Sequence, residues 1–225
     1  KPFRVLSHPN SKEERARSLL TCHWSSQRER YHWRRGEESF QFHLLHRLDS
    51  PTSGVILGCV NPPMTEILKK QFSSRRVSKS YRAIVAGLSR EKHYHWKDFI
   101  RRRRTGLGLR SDISSVGGRL AESRVETILT KISSPRLSLL KLRPLTGRTH
   151  QLRVQCAQRK LPIVGDRTYG DFHFNRRMRK NFKPARLFLH ASSIHIHWIW
   201  KGRKQHFLAR SPTPPEFDAI MKVKF

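Results

Sequence analysis

Acidic side chains are scarce in this chain. Its 225 residues include 16 Asp and Glu against 47 Lys and Arg, which gives a formal net charge of +31. A folded domain with this excess of positive charge repels itself unless a polyanion neutralises it. The sequence therefore indicates nucleic acid as the partner. A basic surface kept only for solubility is the alternative, and so large an imbalance does not favour it.

Long apolar runs and paired cysteines are also missing. No apolar segment approaches the roughly 20 residues that cross a bilayer, and no clean basic amphipathic helix favours a membrane surface. The three cysteines, Cys22, Cys59 and Cys156, are scattered and odd in number, which is typical of ordinary packing in a reducing compartment. We expect the cytoplasm, with the mitochondrial matrix as the alternative. The chain begins with Lys1 rather than Met, which leaves its targeting open.

Sequence motifs for metals and nucleotide cofactors are absent as well. The 13 histidines form no His-Glu-x-x-His pattern, and the chain has no Cys-x-x-Cys pair. Glycine-rich phosphate loops are missing too. The sequence thus predicts a protein that works without a metal or cofactor.

The distribution of apolar residues predicts one α+β domain over residues 1–225. With 36% hydrophobic residues the chain can bury one sizeable core, and it shows no internal repeat or long linker. Strands in succession with few helices indicate a mixed, largely antiparallel β-sheet with flanking helices. Strands are predicted at residues 54–60, 81–85, 123–131, 137–142 and 187–200, the last paired with a strand that ends near residue 209. Helices are predicted at residues 62–72, capped by Asn61, at about 149–159, and as a short helix with a loop within 11–35.

Four consecutive arginines stand at residues 101–104, with glycines at 106, 108, 117 and 118 nearby. This pattern predicts a flexible basic loop. Because like charges are tolerated best beside phosphate, we expect the loop to contact a nucleic-acid backbone. The alternative is a solvated loop without a partner.

Three side chains offer groups for chemistry on a nucleotide: the Asp49 carboxylate, the Tyr81 phenol and the Arg153 guanidinium. Asp49 precedes the predicted strand at residue 54 and has cations and hydroxyls around it, which hold an acid ionised. Taken singly, each residue has a structural interpretation: Asp49 as a turn cap or a partner of Arg47, Tyr81 as a strand aromatic, Arg153 as a surface cation. Taken together, they supply a carboxylate, a fixed counter-charge and an aromatic plane that can stack on an extruded base.

The sequence around these residues resembles the RluA-type RNA pseudouridine synthases. Residues 46–54, 79–83 and 147–154 resemble the aspartate, tyrosine and arginine motifs of that family. Residues 162–166 and 187–191 resemble two later signatures, and Lys1-Pro2 followed by Ser7-His8-Pro9 resembles the opening motif. Residues 165–171, with Asn175-Arg176 after them, are particularly similar to the TruC branch, which modifies tRNA.

This resemblance implies an isomerase that binds structured RNA, turns out a uridine and rejoins its base through carbon. It implies that Asp49 is the catalytic aspartate, that Arg153 is its salt-bridge partner, and that Tyr81 stacks on the target base and helps to remove the proton at carbon 5. Arg47 would take the space left by the flipped nucleotide, and Leu189 would pack near Tyr81 on the pocket floor. The other substrate contacts that it implies are His46, Thr52, Lys79 and Arg148.

The resemblance also implies a partner and leaves two other functions open. The partner would be RNA, either tRNA or rRNA, bound by a monomer without a membrane or an obligate protein partner. The sequence departs from the family at Arg4, where glycine is usual, and at Gln155, where histidine is common. We also expect the usual first strand, before Lys1, to be absent. The open alternatives are a catalytically silent RNA-binding or ribosome-assembly protein, and a hydrolase that uses Asp49 to release uracil.

Overall fold

A computed structural model of the protein describes residues 1–106, 108–114, 116–183 and 186–224. The chain divides into two compact units, each built from two segments. The first unit comprises Lys1–Ser78 and Ser193–Ser211, and the second comprises Lys79–Ser192 and Pro212–Phe225. That the whole chain acts as one domain stays a prediction.

The elements alternate short and long strands with few helices. In chain order they are a 3₁₀-helix (Glu13–Arg17), β1 (His23–Ser25), β2 (Arg30–Arg35), β3 (Glu38–Leu44), β4 (Ser53–Gly54), β5 (Gly58–Cys59), α1 (Pro62–Ser73), β6 (Val77–Ala86), β7 (His93–Thr105), β8 (Gly108–Ile113), β9 (Arg119–Lys131), β10 (Leu137–Pro144), α2 (Gln151–Gln158), α3 (Phe172–Asn181), β11 (Leu189–Trp200), β12 (Arg203–Arg210) and α4 (Glu216–Lys222).

An antiparallel sheet in the order β1-β2-β3-β5 forms one part of the first unit. Its register sets Trp24 beside Tyr31 and Tyr31 beside Phe42, so that aromatic side chains share one face. Tyr31 is fully buried, and its hydroxyl donates a 2.8 Å hydrogen bond to the carbonyl oxygen of Ser7. The sheet therefore supports the segment that precedes it in the chain.

A second apolar core of the first unit joins helix α1 to the antiparallel hairpin of β11 and β12. The Asn61 side chain caps α1 by accepting a 2.9 Å hydrogen bond from the Met64 backbone N–H, a contact that contributes about 1 kcal/mol. Leu68 on the inward face of α1 lies in the same buried cluster as Ile194 and Ile196 of β11. This packing explains why the predicted helix and strand both form.

The sheet of the second unit runs in the order β6-β10-β9-β7-β8, and each of these pairings is antiparallel. Strand β10 has neighbours on both sides, and its Leu140 and Leu142 are fully buried. Helix α2 covers one face, because its Val154 packs in a cluster with Ile100 of β7 and Ala121 of β9. The predicted α+β class with a largely antiparallel sheet is confirmed, as are α1, α2 and the strands predicted within β6, β9, β10 and β11.

The prediction of a flexible loop at residues 101–104 is wrong. These residues continue β7 and pair with β8 in an antiparallel hairpin. Burial alternates along β7, since Trp96 and Ile100 are buried while Lys97, Phe99 and Arg101 are exposed. The sequence does not show this alternation at residues 101–104, because the four arginines occupy both faces of the strand.

Two other predictions are wrong in part. Residues 11–35 contain the predicted short helix as a 3₁₀-helix, but β1 and β2 stand where a loop was expected. Residues 54–60 hold the end of β4 and all of β5 rather than one buried strand, and Val60 is exposed. The sequence pattern does not predict α3 or α4, because each buries only one or two side chains. Among the described helices, none is long and apolar enough to cross a membrane.

Candidate active site

The loop that follows β3 carries Asp49 in the first unit. The Asp49 carbonyl oxygen accepts a 3.0 Å hydrogen bond from the backbone N–H of Thr52, which closes a tight turn. The side-chain ammonium of Lys1 donates to the carbonyl oxygens of Val5 and Ser50 at 2.6 and 3.0 Å. Burial lowers the pKa of Lys1 to about 8, and the negative charge of Asp49 opposes that shift. Asp49 is therefore an acid on a closed turn with an ammonium in its electrostatic reach.

Ser7 holds the same loop from the N-terminal segment. Its hydroxyl donates to the Leu48 carbonyl oxygen at 2.9 Å and accepts from the Leu48 N–H at 3.0 Å. Both Ser7 and Leu48 are buried. Next to them, Nη1 of the exposed Arg47 donates a 3.0 Å hydrogen bond to Nε2 of His8. The two residues that precede Asp49 thus each have a partner in the segment Ser7-His8.

His46 and Thr52 have structural surroundings in the first unit. Nε2 of His46 accepts a 3.0 Å hydrogen bond from the Leu57 N–H, and the ring stacks on Phe72 with centroids 5.2 Å apart. Thr52 is buried. These contacts stabilise the two ends of the Asp49 loop. That His46 and Thr52 also contact a substrate stays a prediction.

Strand β6 carries Tyr81 and Lys79 in the second unit. Successive side chains of a strand alternate between faces, so these two residues share one face. Tyr81 packs against the buried cluster that contains Leu189, and that the two side chains meet on the floor of a pocket stays a prediction. Burial lowers the pKa of Lys79, whose ammonium nitrogen lies 3.7 Å from where a Cβ on Gly147 would stand. The desolvated ammonium of Lys79 therefore lies near the loop of residues 145–150, on the face of β6 that Tyr81 shares.

The side chain of Gln151 organises that loop. Its Oε1 accepts hydrogen bonds from the Thr146 hydroxyl at 2.6 Å and from the Arg148 N–H at 3.0 Å. Its Nε2 donates to the carbonyl oxygen of Glu122 at 3.0 Å. The guanidinium Nε of Arg148 donates to the Leu120 carbonyl oxygen at 2.9 Å. The loop is thus held to the first residues of β9, and the Arg148 side chain extends past Leu120.

Arg153 makes a bidentate ion pair with Asp166, a residue that sequence reasoning did not place in the site. Nε and Nη2 of Arg153 donate to Oδ2 and Oδ1 of Asp166 at 2.7 and 2.8 Å. The side chains are 5% and 1% exposed, so Arg153 is no surface cation. Burial by itself would raise the pKa of Asp166, but the Arg153 contacts and the N–H groups of Thr168 and Tyr169 hold this pKa below its usual value. Asp166 ends a motif that the sequence does show, at residues 162–166.

The turn that presents Asp166 requires Gly165. Gly165 has φ +78°, and a Cβ there would overlap the carbonyl oxygen of Arg186. The Asn175 side chain on α3 accepts a 2.7 Å hydrogen bond from the Gly165 N–H and donates a 3.0 Å hydrogen bond to the Asp166 carbonyl oxygen. Helix α3, absent from the sequence prediction, is therefore what holds the turn. The Arg153 guanidinium also lies over the Tyr169 ring, 5.1 Å from its centroid.

Gln155, where the family commonly has histidine, is fully buried and hydrogen-bonded. Its Oε1 accepts from the Ser123 hydroxyl at 2.7 Å, and its Nε2 donates to Asp98 at 2.8 Å and to the Ala121 carbonyl oxygen at 3.1 Å. The glutamine at position 155 therefore has hydrogen-bond partners for both ends of its amide. Within the described parts of the chain, no three His, Cys, Asp or Glu side chains are arranged to hold a metal ion.

The solvent-facing side of β7 and β8 is basic. Arg101 and Arg103 flank the Asp112 carboxylate, with N–O distances of 3.8 and 3.7 Å. All three side chains are more than a third exposed, so these pairs contribute little to stability. Phe99 on the same face is 52% exposed. The surface offers cations and an aromatic ring to a polyanion.

Comparison with known proteins gives a consistent family. Residues 1–158 match the family model described as RNA pseudouridylate synthase. The chain is 32% identical over 180 residues to tRNA pseudouridine synthase C of Yersinia pestis, a match that covers 76% of this chain and 70% of the relative. It is 38% identical over 158 residues to tRNA pseudouridine synthase C of Haemophilus ducreyi, which covers 68% and 65% of the two chains. It is 31% identical over 214 residues to ribosomal large subunit pseudouridine synthase D of Borreliella burgdorferi, which covers 94% and 61%. The chain thus spans about two thirds of the length of these relatives.

Solved structures show the same fold at lower identity. Human RNA Pseudouridylate Synthase Domain Containing 4 superimposes with a TM-score of 0.65 at 21% identity, over 97% of this chain and 85% of that one. Human RNA Pseudouridylate Synthase Domain Containing 1 gives a TM-score of 0.64 at 24% identity, over 88% and 89%. At these identities the likeness concerns the fold alone.

We predict that Asp166→Asn lowers the free energy of unfolding by roughly 3 to 5 kcal/mol at pH 7, because it leaves the Arg153 charge buried without a counter-charge. The folded-state pKa of Asp166 is depressed, so its contribution is fully present above the pKa of an unfolded aspartate, about 3.9, and is lost as the pH falls through the folded pKa. Urea unfolding of both proteins should therefore show a gap that narrows below about pH 4. Asp171→Asn is the matched control, because asparagine caps α3 as well as aspartate does. An equal loss in both variants would contradict the role of the pair.

Proposed function

The chain belongs to the RNA pseudouridylate synthase family, and from this membership we propose that it isomerises uridine to pseudouridine in structured RNA. The observation that carries the proposal is the family match over residues 1–158, which includes Asp49, Tyr81 and Arg153. The reaction breaks the bond from the sugar to nitrogen 1 of uracil and forms one to carbon 5; carbon 5 loses a proton, and nitrogen 1 gains one. It transfers no electrons to or from another molecule, so the prediction of no cofactor is consistent with the chemistry.

In this proposal Asp49 supplies the carboxylate that acts on the flipped nucleotide. Attack at the anomeric carbon, addition to the ring and proton abstraction at the sugar all use a carboxylate there. Lys1 lies within electrostatic reach of Asp49, and the turn that the Thr52 N–H closes orients the loop that carries this acid. Arg153 provides the counter-charge for Asp49, and its bidentate anchoring on Asp166 supports this role because it presets the guanidinium.

Tyr81 and Lys79 act on the base and its phosphate in this proposal. The half-buried Tyr81 ring presents a plane for stacking, and its hydroxyl takes part in removing the proton from carbon 5. Because the Lys79 ammonium is buried, its attraction to a phosphate anion is stronger than that of a solvated ammonium. Arg148 contacts the substrate strand beside it, and Leu189 forms the floor beneath Tyr81.

We propose tRNA as the substrate, with rRNA as the alternative, and a monomer that needs no protein partner. Two of the relatives above are named for tRNA and one for the large ribosomal subunit.

The direct test is to map pseudouridine in total RNA from cells with and without the gene. Loss of a single tRNA site supports the proposal, and loss of a large-subunit rRNA site supports the alternative. An unchanged map, together with RNA binding by the purified protein, favours the silent RNA-binding protein. Fractionation of the same cells would show whether the protein resides in the cytoplasm or the mitochondrial matrix.

We predict that Asp49→Asn abolishes pseudouridine formation and leaves RNA affinity unchanged or slightly higher, because it removes a negative charge near the phosphates. The assays are tritium release from uracil-labelled RNA and filter binding. Asp218→Asn, an equal change of charge at an exposed position of α4, is the control and should keep full activity. Turnover by the Asp49 variant would show that another group does the chemistry, and free uracil in the wild-type reaction would identify a hydrolase.

For Tyr81 we predict separate effects of the hydroxyl and the ring. Tyr81→Phe should abolish turnover and leave RNA binding unchanged, whereas Tyr81→Leu should also weaken binding of the flipped base. The additional loss should be about 1 to 3 kcal/mol, the contribution of stacking on one aromatic side chain. Single-turnover rates and Kd values for both variants measure this. Near-wild-type rates in both would leave Tyr81 with a packing role only.

We predict that replacing Arg101 and Arg103 by alanine lowers affinity for every RNA tested without changing which uridine is modified. For each phosphate that the variant no longer neutralises, the slope of log K against log salt should become shallower by roughly 0.7 to 0.9. Asp112→Asn is the opposite control: it removes the acid between the two arginines, so affinity should rise or stay the same. A double variant with the wild-type salt slope would assign these arginines to solvent.

A further inference from the structure

The Arg47 side chain is held by one imidazole. Its Nη1 donates to Nε2 of His8 at 3.0 Å, a contact between residues 39 positions apart in the sequence. Arg47 is exposed, and an exposed arginine samples many rotamers unless something holds it. The family resemblance implies a role for Arg47, and it includes His8 in the opening motif without giving it a role.

The surroundings of His8 select one neutral tautomer. Nδ1 of His8 lies 3.1 Å from the carbonyl oxygen of Pro9, which can only accept, so Nδ1 carries the proton. An arginine can only donate, so Nε2 must present its lone pair to Arg47. Both contacts are satisfied by the same form of the ring. The imidazole is therefore oriented as an acceptor for a guanidinium.

The His8 ring is fixed from below by Trp24. The two rings are nearly parallel, with centroids 4.8 Å apart and an angle of 7° between their planes. Trp24 in turn packs on the buried Tyr31, with centroids 4.9 Å apart. The preceding residue, Ser7, is pinned by Leu48 and by the Tyr31 hydroxyl. A rigid sheet face thus determines where His8 stands.

We propose that His8, stacked on Trp24, is a positioning residue that holds the Arg47 guanidinium ready to enter the space left by the flipped uridine. This inference rests on the proposed function and adds the device that prepares Arg47 before RNA arrives. Ordering a long side chain in advance removes part of the entropy that binding would otherwise lose. His8 touches neither the base nor Asp49 in this role, and its whole effect passes through Arg47.

Two variants separate the acceptor from the ring. His8→Phe keeps an aromatic ring over Trp24 and removes the acceptor, whereas His8→Gln supplies an amide oxygen near the place of Nε2. With tRNA as the probe, His8→Phe should lower kcat/KM roughly tenfold, since a displaced group in a catalytic site costs on this scale or more. His8→Gln should restore activity to about the wild-type value. Circular dichroism melting should show that all variants are folded.

A double-mutant cycle tests whether His8 acts through Arg47. In the Arg47→Ala background, His8→Phe should have no further effect on kcat/KM, because the group it positions is gone. Fluorescence of 2-aminopurine placed beside the target uridine should show the same dependence for the flipping step. A structural role of His8 would instead lower activity by the same factor in both backgrounds. That result, or a His8→Gln variant as defective as His8→Phe, overturns the proposal.

A readout without RNA separates this inference from the proposed function. The ¹⁵N chemical shifts of the His8 ring should show a protonated Nδ1 and a hydrogen-bonded Nε2, and the Nε2 resonance should move in Arg47→Ala. A wild-type protein that modifies no RNA but shows this signature refutes the function and leaves the His8–Arg47 contact standing. An active wild type whose His8 resonances ignore Arg47→Ala refutes the positioning role alone.

Discussion

The buried ion pair of Arg153 and Asp166 is the constraint on which the arrangement of α2, α3 and the turn between them depends in the second unit. Two charges that are 5% and 1% exposed stabilise a fold only when the hydrogen-bonding groups of both are satisfied. Asp166 obtains its donors from Arg153 and from the backbone N–H groups of the turn it begins. That turn needs a glycine at 165 and the Asn175 amide of α3. One arginine thus requires α2, the turn and α3 to adopt a single arrangement.

Neutral side chains, rather than a buried ion pair, hold the loop that carries Asp49 in the first unit. The Ser7 hydroxyl donates to the Leu48 carbonyl oxygen and accepts from the Leu48 N–H. The His8 imidazole accepts from the guanidinium of Arg47. Both depend on the aromatic face of the small sheet, where Tyr31 and Trp24 lie. The Ser7 hydroxyl and the His8 imidazole thus position the loop without placing a second carboxylate beside Asp49.

Two acids of the chain, Asp98 and Asp166, are largely buried, and each pairs with an arginine. Asp98 accepts from Arg159 at 2.9 Å and from Gln155 at 2.8 Å, and Asp166 pairs with Arg153. On the open face of β7, one exposed acid, Asp112, stands between two arginines. Because each of these buried pairs is neutral, the net charge of +31 belongs to the rest of the chain, where a polyribonucleotide would neutralise it.

Local sequence determined the long elements and the candidate residues. An N-cap with proline after it marks α1, a stretch rich in apolar residues marks β10, and uninterrupted motifs mark Asp49, Tyr81 and Arg153. Tertiary structure alone decided that Arg153 is anchored by Asp166, that His8 holds Arg47, and that residues 101–104 form a strand. These features join residues that only folding brings together, 13 and 39 positions apart for the two arginines, and the period of a local sequence carries no information about such pairs.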